Sequence, residues 1–106
     1  MKRKVVVVLT CMALMLTVLP LMADGPDGAA LYKAKCATCH GADGAGQTPA
    51  GKSLKVGDLR SADVQKMSDG DLTGVISDGK GKMPAFKGTL SAAEIGALVA
   101  FIRKLK

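Results

Sequence analysis

Cys36-Ala37-Thr38-Cys39-His40 is the stretch of this 106-residue chain best equipped for chemistry. Two thiols three residues apart, followed at once by an imidazole, make the C-x-x-C-H pattern through which a c-type haem is attached. The thiols of Cys36 and Cys39 would add across the two vinyl groups of one haem as thioethers. His40 would then be held under the iron as the proximal ligand. It is the only histidine in the chain, so no other imidazole competes for that role. The same C-x-x-C could serve as a thioredoxin-like redox dithiol, but such pairs sit in a βαβ pattern and none is visible. A structural zinc site wants four ligands; beyond this stretch the chain offers only Cys11 and no second histidine.

The elements that must position these residues read as helices. Asp27 can cap a helix from Gly28 that runs to the first cysteine, with Gly41 as its stop. Residues 42–51 hold Gly44, Gly46, Pro49 and Gly51 and read as a loop, continued irregularly over Leu54 to Leu59. Ser61 can cap a short helix near Ala62 to Met67. Ser68-Asp69-Gly70-Asp71 opens another, with acids in the first turn and Leu72, Val75 and Ile76 on one face until Gly79. Lys80 to Thr89 is a second loop. Ser91-Ala92-Ala93-Glu94 is a capping box at the head of the strongest helix, whose Ile95, Leu98, Val99, Ile102 and Leu105 share a side. No segment keeps a period of two. The expected fold is all-α: three to four helices with long loops wrapped around one haem.

Residues 1–23 read as a signal peptide. Lys2, Arg3 and Lys4 precede the apolar run Val5 to Val18, and Ala23 suits a cleavage point. Cleavage there leaves a single domain, 24–106. The alternative is a retained membrane anchor, since Val5 to Met22 is at the short edge of a bilayer span, although Pro20 interrupts it. Removing the three leading basic residues lowers the net charge from +6 to +3, so half of the basicity belongs to targeting. With no Trp, one Tyr and two Phe, the chain lacks the stacking aromatics and basic stripe of a nucleic-acid binder. A domain this small also struggles to bury enough apolar surface by itself, and a buried haem would add the missing bulk.

With those residues in view, the chain resembles a small monohaem class I cytochrome c of the short bacterial form. The resemblance runs over nearly all of Asp24 to Lys106. It rests on Cys36, Cys39 and His40, on Lys82-Met83-Pro84-Ala85-Phe86 in the late loop, and on the amphipathic last helix. It implies that the first and last helices cross closely, Gly28 and Tyr32 meeting Leu98 and Phe101. It implies a proline carbonyl, with Pro49 the candidate, accepting a bond from the proximal histidine. Leu72, Val75 and Ile76 would face the haem, and Gln47, Lys52, Lys55 and Arg60 are the candidate propionate donors.

Met83 is the expected distal iron ligand. A thioether is a soft donor that favours ferrous iron. Beyond the signal the chain offers Met67 and Met83. Met83 follows the glycine-rich Gly79-Lys80-Gly81-Lys82, and Pro84 biases it to an extended backbone. The expected function is therefore electron transport by a periplasmic carrier with one covalent haem c, axial ligands His40 and Met83, and no enzymatic activity. Its partners would be redox proteins, with acidic docking surfaces facing Lys33, Lys35, Lys80, Lys82 and Lys87; the expected state is a monomer. Alternatives are a haem subunit or dedicated donor of a larger oxidoreductase, and an open-site haem enzyme or gas-binding protein.

Overall fold

The computed structural model describes residues 25–106, so the expected signal peptide, its expected cleavage point and Cys11 lie outside the described residues. The first described helix, α1 (Gly28–Lys35), begins where the sequence caps it. The Asp27 carboxylate accepts the amides of Ala29 and Ala30 at 3.1 and 3.2 Å. At Cys36 the chain bends and restarts as the four-residue α2 (Ala37–His40). The expected single helix from Gly28 to Gly41 is thus two pieces sharing Cys36 as a joint.

The region read as an irregular loop contains a further helix, α3 (Pro49–Leu54), capped by the Thr48 hydroxyl on the Gly51 amide. Thr followed by Pro is a start signal in its own right, because proline's fixed φ suits the first helical position; the surrounding glycines obscure it. After α3 come α4 (Ala62–Gln65), capped by Ser61, and α5 (Asp69–Asp78), capped by Ser68. The last helix, α6 (Ala92–Arg103), carries the expected capping box. Ser91 Oγ accepts the Glu94 amide at 3.1 Å, and Glu94 Oε1 accepts the Ser91 amide at 2.9 Å. Such caps are worth about 1 kcal/mol each, which matters for helices too short to form alone. Among the described residues there is no strand, only an isolated antiparallel bridge between Lys80 and Met83.

The core forms where α1, α5 and α6 meet. Tyr32, Leu72, Ile76, Leu90, Ile95, Leu98, Val99 and Ile102 are buried in one cluster, with Leu98 fully enclosed. Gly28 sets the approach of α1 to α6. A Cβ at this position would fall on the Ala97 carbonyl oxygen and lie 3.4 Å from Phe101 Cβ. The Tyr32 and Phe101 rings meet one turn on, centroids 4.6 Å apart and tilted by 35°, a separation within the favourable range for aromatic pairs. The four residues expected at this crossing are therefore brought together.

A polar clamp closes the other end. Gln65 Nε2 donates to the carbonyls of Leu59 at 2.9 Å and Ile102 at 3.1 Å. Arg103 donates to the Asp69 carboxylate at 2.9 Å, to the Gln65 carbonyl at 2.8 Å, and to the Met67 carbonyl. The end of α6 is thereby tied to α4 and to the start of α5.

Candidate haem site

Cys36 and Cys39 lie one helical turn apart. The amides of Cys39 and His40 both point to the Cys36 carbonyl, at 3.2 and 2.9 Å. Positions three apart share a helix face, so both side chains can address one ligand. Both thiols are free and half-buried. Burial pushes the Cys36 thiol up to about 11. A redox-active dithiol needs the opposite, a thiolate stabilised at neutral pH. The burial of Cys36 thus disfavours the dithiol alternative. The zinc alternative lacks its ligands, since among the described residues no three His, Cys, Asp or Glu side chains group to hold a metal ion.

His40 closes α2. Burial lowers its pKa, which favours the neutral imidazole that binds metals. Its Nδ1 is buried and has no hydrogen-bond partner. The bond expected from the proximal histidine to Pro49 is therefore not made; Pro49 instead opens α3. The half-buried imidazole and the two thiols on the adjoining turn make a donor set that suits a covalently held, nitrogen-ligated haem. Leu54 adds an apolar signal. It is 37% exposed, the sole exposed large hydrophobic residue among those described, and it sits on α3, which packs against α2.

The backbone of α2 is held from outside. The last four carbonyls of a helix have no partner within it. Here the single proton of the Thr48 hydroxyl is shared between the carbonyls of Thr38 at 2.7 Å and Cys39 at 3.2 Å, chiefly the nearer. The Gly46 amide donates to the His40 carbonyl at 2.8 Å. The Tyr32 hydroxyl donates to the Gly41 carbonyl at 2.7 Å in a buried bond. The carbonyls from Thr38 to Gly41 thus meet donors six to ten residues away in sequence. Neither Tyr32 nor Thr48 is recognisable from the sequence as a donor to this turn, because the contacts depend on how α1 and α3 pack around it.

The late loop is built to a fixed shape. The Lys80 amide donates to the Met83 carbonyl at 3.2 Å, and the Met83 amide to the Lys80 carbonyl at 3.0 Å. Gly79 (φ 76°) permits the reversal, since a Cβ there would lie 2.6 Å from the Met83 carbonyl oxygen and 2.9 Å from the Ala85 nitrogen. The loop hangs from α5 through Phe86 N to Ile76 O at 3.0 Å and Lys87 N to Ser77 O at 3.1 Å. Met83 is half-buried against the core cluster, as is Met67.

The α5 residues expected to share a haem-facing side divide. Leu72 and Ile76 are buried in the core, whereas Val75 lines an open cavity of about 400 Å³ with Met67, Gly74 and Gly79. Among the propionate candidates, Arg60 is engaged with Asp58, through Nε at 3.0 Å and Nη2 at 2.9 Å. Its bonds hold the Asp58 carboxyl below its ordinary pKa. Gln47 donates weakly to its neighbour Ala45 at 3.4 Å. Lys52 and Lys55 are exposed.

Known proteins place this geometry. The family described as "Cytochrome C oxidase, cbb3-type, subunit III" matches residues 23–102. Cytochrome c6 of Anabaena variabilis is 38% identical over 85 residues, covering 76% of this chain and 90% of that protein. Cytochrome c6 of Leptolyngbya boryana is 35% identical over 80 residues, covering 76% and 91%. Among solved structures, the KustC0563 c-type cytochrome superposes with a TM-score of 0.70 at 38% identity, covering 76% of this chain and 98% of its own. Cytochrome c6C from Synechococcus sp. PCC 7002 gives 0.58 at 28% identity, covering 74% and 92%.

Proposed function

The chain belongs to the class I c-type cytochromes, and from that premise we propose that it carries single electrons between redox proteins through one covalently attached haem c. Cys36 and Cys39 hold the haem as thioethers, and His40 and Met83 ligate its iron. The bound haem supplies a one-electron couple, raised in potential by a His/Met ligand pair. The protein's own work is to orient and enclose. The helical turn at Cys36 aligns both sulfurs, burial favours the neutral form of His40, and the Lys80–Met83 bridge presents the thioether from a loop of fixed shape. With His40 and Met83 both given to the iron, the haem would serve electron transfer rather than substrate binding. The observation that carries this reading is the joint between α1 and α2, where two half-buried thiols and a half-buried imidazole share adjoining helical turns.

The signal-like residues 1–23 support export, and we assign the mature protein to the periplasm. Among the described residues no helix is long and apolar enough to cross a membrane. Lys33, Lys35, Lys80 and Lys82 are exposed and free of ion pairs among the described residues, while Lys87 pairs with Asp78 at 3.5 Å. They favour partners with acidic docking surfaces. A second reading, a subunit or dedicated donor of a larger oxidoreductase, is favoured by the matched family's description as an oxidase subunit. A monodisperse monomer in solution decides for the free carrier.

The test is a set of visible spectra. Acid–acetone extraction leaves the colour on the wild-type polypeptide, and Cys36→Ala or Cys39→Ala yields little stable holoprotein. Carbon monoxide leaves the reduced wild-type spectrum unchanged. Met83→Ala loses the far-red band of an iron–thioether bond, falls in potential and binds carbon monoxide; Met67→Ala does none of these. Freely extracted haem overturns the attachment. An exchange of phenotypes between the two methionine variants overturns only the distal ligand.

A further inference from the structure

The late loop leaves α5 and returns to it, and one residue sits inside its neck. The last carbonyls of a helix have no partner within it, and here the loop supplies their donors. Gly79 N donates to Val75 O at 2.9 Å on the way out. Phe86 N donates to Ile76 O at 3.0 Å and Lys87 N to Ser77 O at 3.1 Å on the way back. The Lys87 ammonium adds an ion pair with Asp78 at 3.5 Å. Both ends of the loop are thus fastened to the last turn of α5, and Met83-Pro84-Ala85 lies across Gly79. A Cβ at Gly79 would come within 2.6 Å of the Met83 carbonyl oxygen, 2.9 Å of the Ala85 nitrogen and 3.0 Å of the Pro84 carbonyl carbon. All three atoms are backbone. Gly79 also has φ 76° and ψ 171°, a region of backbone space essentially reserved for glycine.

We propose that Gly79 is the positioning residue for Met83. Its missing side chain lets residues 83–85 settle directly on the end of α5, and this sets how far Met83 reaches towards the iron. The inference rests on Met83 being the distal ligand. An alanine at this position has to lift Met83-Pro84-Ala85 by about 0.8 Å, from 2.6 Å to the 3.4 Å of ordinary contact. A ligand set needs its atoms within about 0.5 Å of their working positions. The lift exceeds that tolerance, at a bond to a weak axial donor. Nor does the lift spread along the loop. The Lys80–Met83 bridge holds one side, and the bonds from Phe86 and Lys87 hold the other. Gly81, in the same loop, has φ 56°, but a Cβ there would meet nothing within 4 Å. Gly81 serves only the turn, whereas Gly79 also serves a contact with the ligand's own backbone.

The experiment compares Gly79→Ala with Gly44→Ala in the holoprotein. Gly44 also has a positive φ, 78°, and a Cβ there would crowd Leu105 Cδ1 at 2.7 Å and Leu59 Cβ at 3.4 Å. Its replacement strains the fold without touching the late loop. Both variants should melt below the wild type. Gly79→Ala alone should lose the far-red iron–thioether band in the ferric state and bind carbon monoxide in the ferrous state. Gly44→Ala should keep the band and exclude carbon monoxide. Should Gly79→Ala prove too unstable to purify, its combination with Gly96→Ala decides in its place, because a Cβ at Gly96 meets nothing and favours α6. A Gly79→Ala protein that melts lower yet keeps the band and excludes carbon monoxide would show that the flexible methionine side chain follows the displaced backbone. That result overturns the proposal. Loss of the band in Gly44→Ala as well overturns it too, since the loss would then report general loosening. Failure of the ligand reading itself is told apart without Gly79: the wild type would show no far-red band, or Met83→Ala would leave the band in place.

Discussion

Glycine-to-alanine changes at two positions of the α1–α6 pair should move stability in opposite directions. At Gly28 the new methyl group would land on the Ala97 carbonyl oxygen. That oxygen is backbone and cannot rotate away, so α1 must lift off α6. Forcing an extra carbon into a packed contact costs about 1–3 kcal/mol. The loss of glycine's backbone freedom returns only about 0.5–1 kcal/mol, and less at Gly28 than mid-helix, because it is the first helical residue. The expected net loss is about 1–2 kcal/mol, a fall of roughly 4–15 °C in melting temperature for a domain this small. Gly96 lies inside α6, and a Cβ there meets nothing within 4 Å. Gly96→Ala should gain about 0.5–1 kcal/mol from helix propensity alone. Thermal unfolding of the ferric holoproteins, followed by far-ultraviolet circular dichroism, measures both. If Gly28→Ala melts with the wild type, or if the two variants shift the same way, the close crossing is not what holds α1 in place.

Three further outcomes can be measured. Arg103→Met leaves the Gln65 and Met67 carbonyls without their donor and should cost about 1–3 kcal/mol, read as a lower denaturant midpoint; an unchanged midpoint would show that water replaces the guanidinium without loss. Tyr32, the only tyrosine, is raised from its ordinary 10.0 to about 12, chiefly by burial, with a smaller contribution from Asp43. The folded state then holds the phenol proton more tightly than the unfolded chain. The stabilisation is complete below about pH 10 and lost as pH rises towards 12, so Tyr32→Phe should show a shallower alkaline decline, and phenolate absorbance rising near pH 10 in folded protein would contradict the burial. Association with an acidic redox partner should slow as salt rises, because steering is screened over about 10 Å at ~0.1 M; a rate flat in ionic strength removes the docking role of the lysines.

What the sequence disclosed and what it withheld follow from the range of the interactions involved. The caps at Asp27, Ser61, Ser68 and Ser91 were legible because a cap joins residues two or three apart. The α6 face was legible because Ile95, Leu98, Val99 and Ile102 repeat at helical spacing and all four are buried. The meeting of Gly28 and Tyr32 with Leu98 and Phe101 came from family resemblance, since no local pattern encodes a crossing between the two ends of a domain. α3 was missed because the glycines around it outweigh the Thr-Pro start. Leu72, Val75 and Ile76 were read as one face, but their spacing puts Val75 about 100° from Ile76, enough to move it from the core to the open cavity. The donors of Tyr32, Thr48, Gln65 and Arg103 are 9 to 38 residues from their carbonyls, or six in the case of Gln65 to Leu59, and no single-sequence signal marks them.

These long-range donors answer a problem posed by the elements themselves. α2 and α4 have four residues each, far below the length at which a helix holds its shape in water. Their exposed faces cannot be anchored by apolar area alone, because the buried core is drawn mainly from α1, α5 and α6. Each short helix is instead tied by side-chain hydrogen bonds: α2 by Tyr32 of α1 and by Thr48 at the cap of α3, α4 by its own Gln65 reaching Ile102 and by Arg103 of α6 reaching back. An electron carrier gains from this arrangement. Transfer is fast when the ligand frame has the same shape in both oxidation states, and hydrogen bonds to backbone carbonyls resist displacement without adding charge near the iron. Among the described residues no charged or polar side chain is classed as buried apart from the phenol of Tyr32, so the charge change at the metal meets few groups that must reorient. At α2, rigidity supplied by neutral hydroxyls and amides is thus better matched to the proposed function than an equal rigidity supplied by buried ion pairs would be.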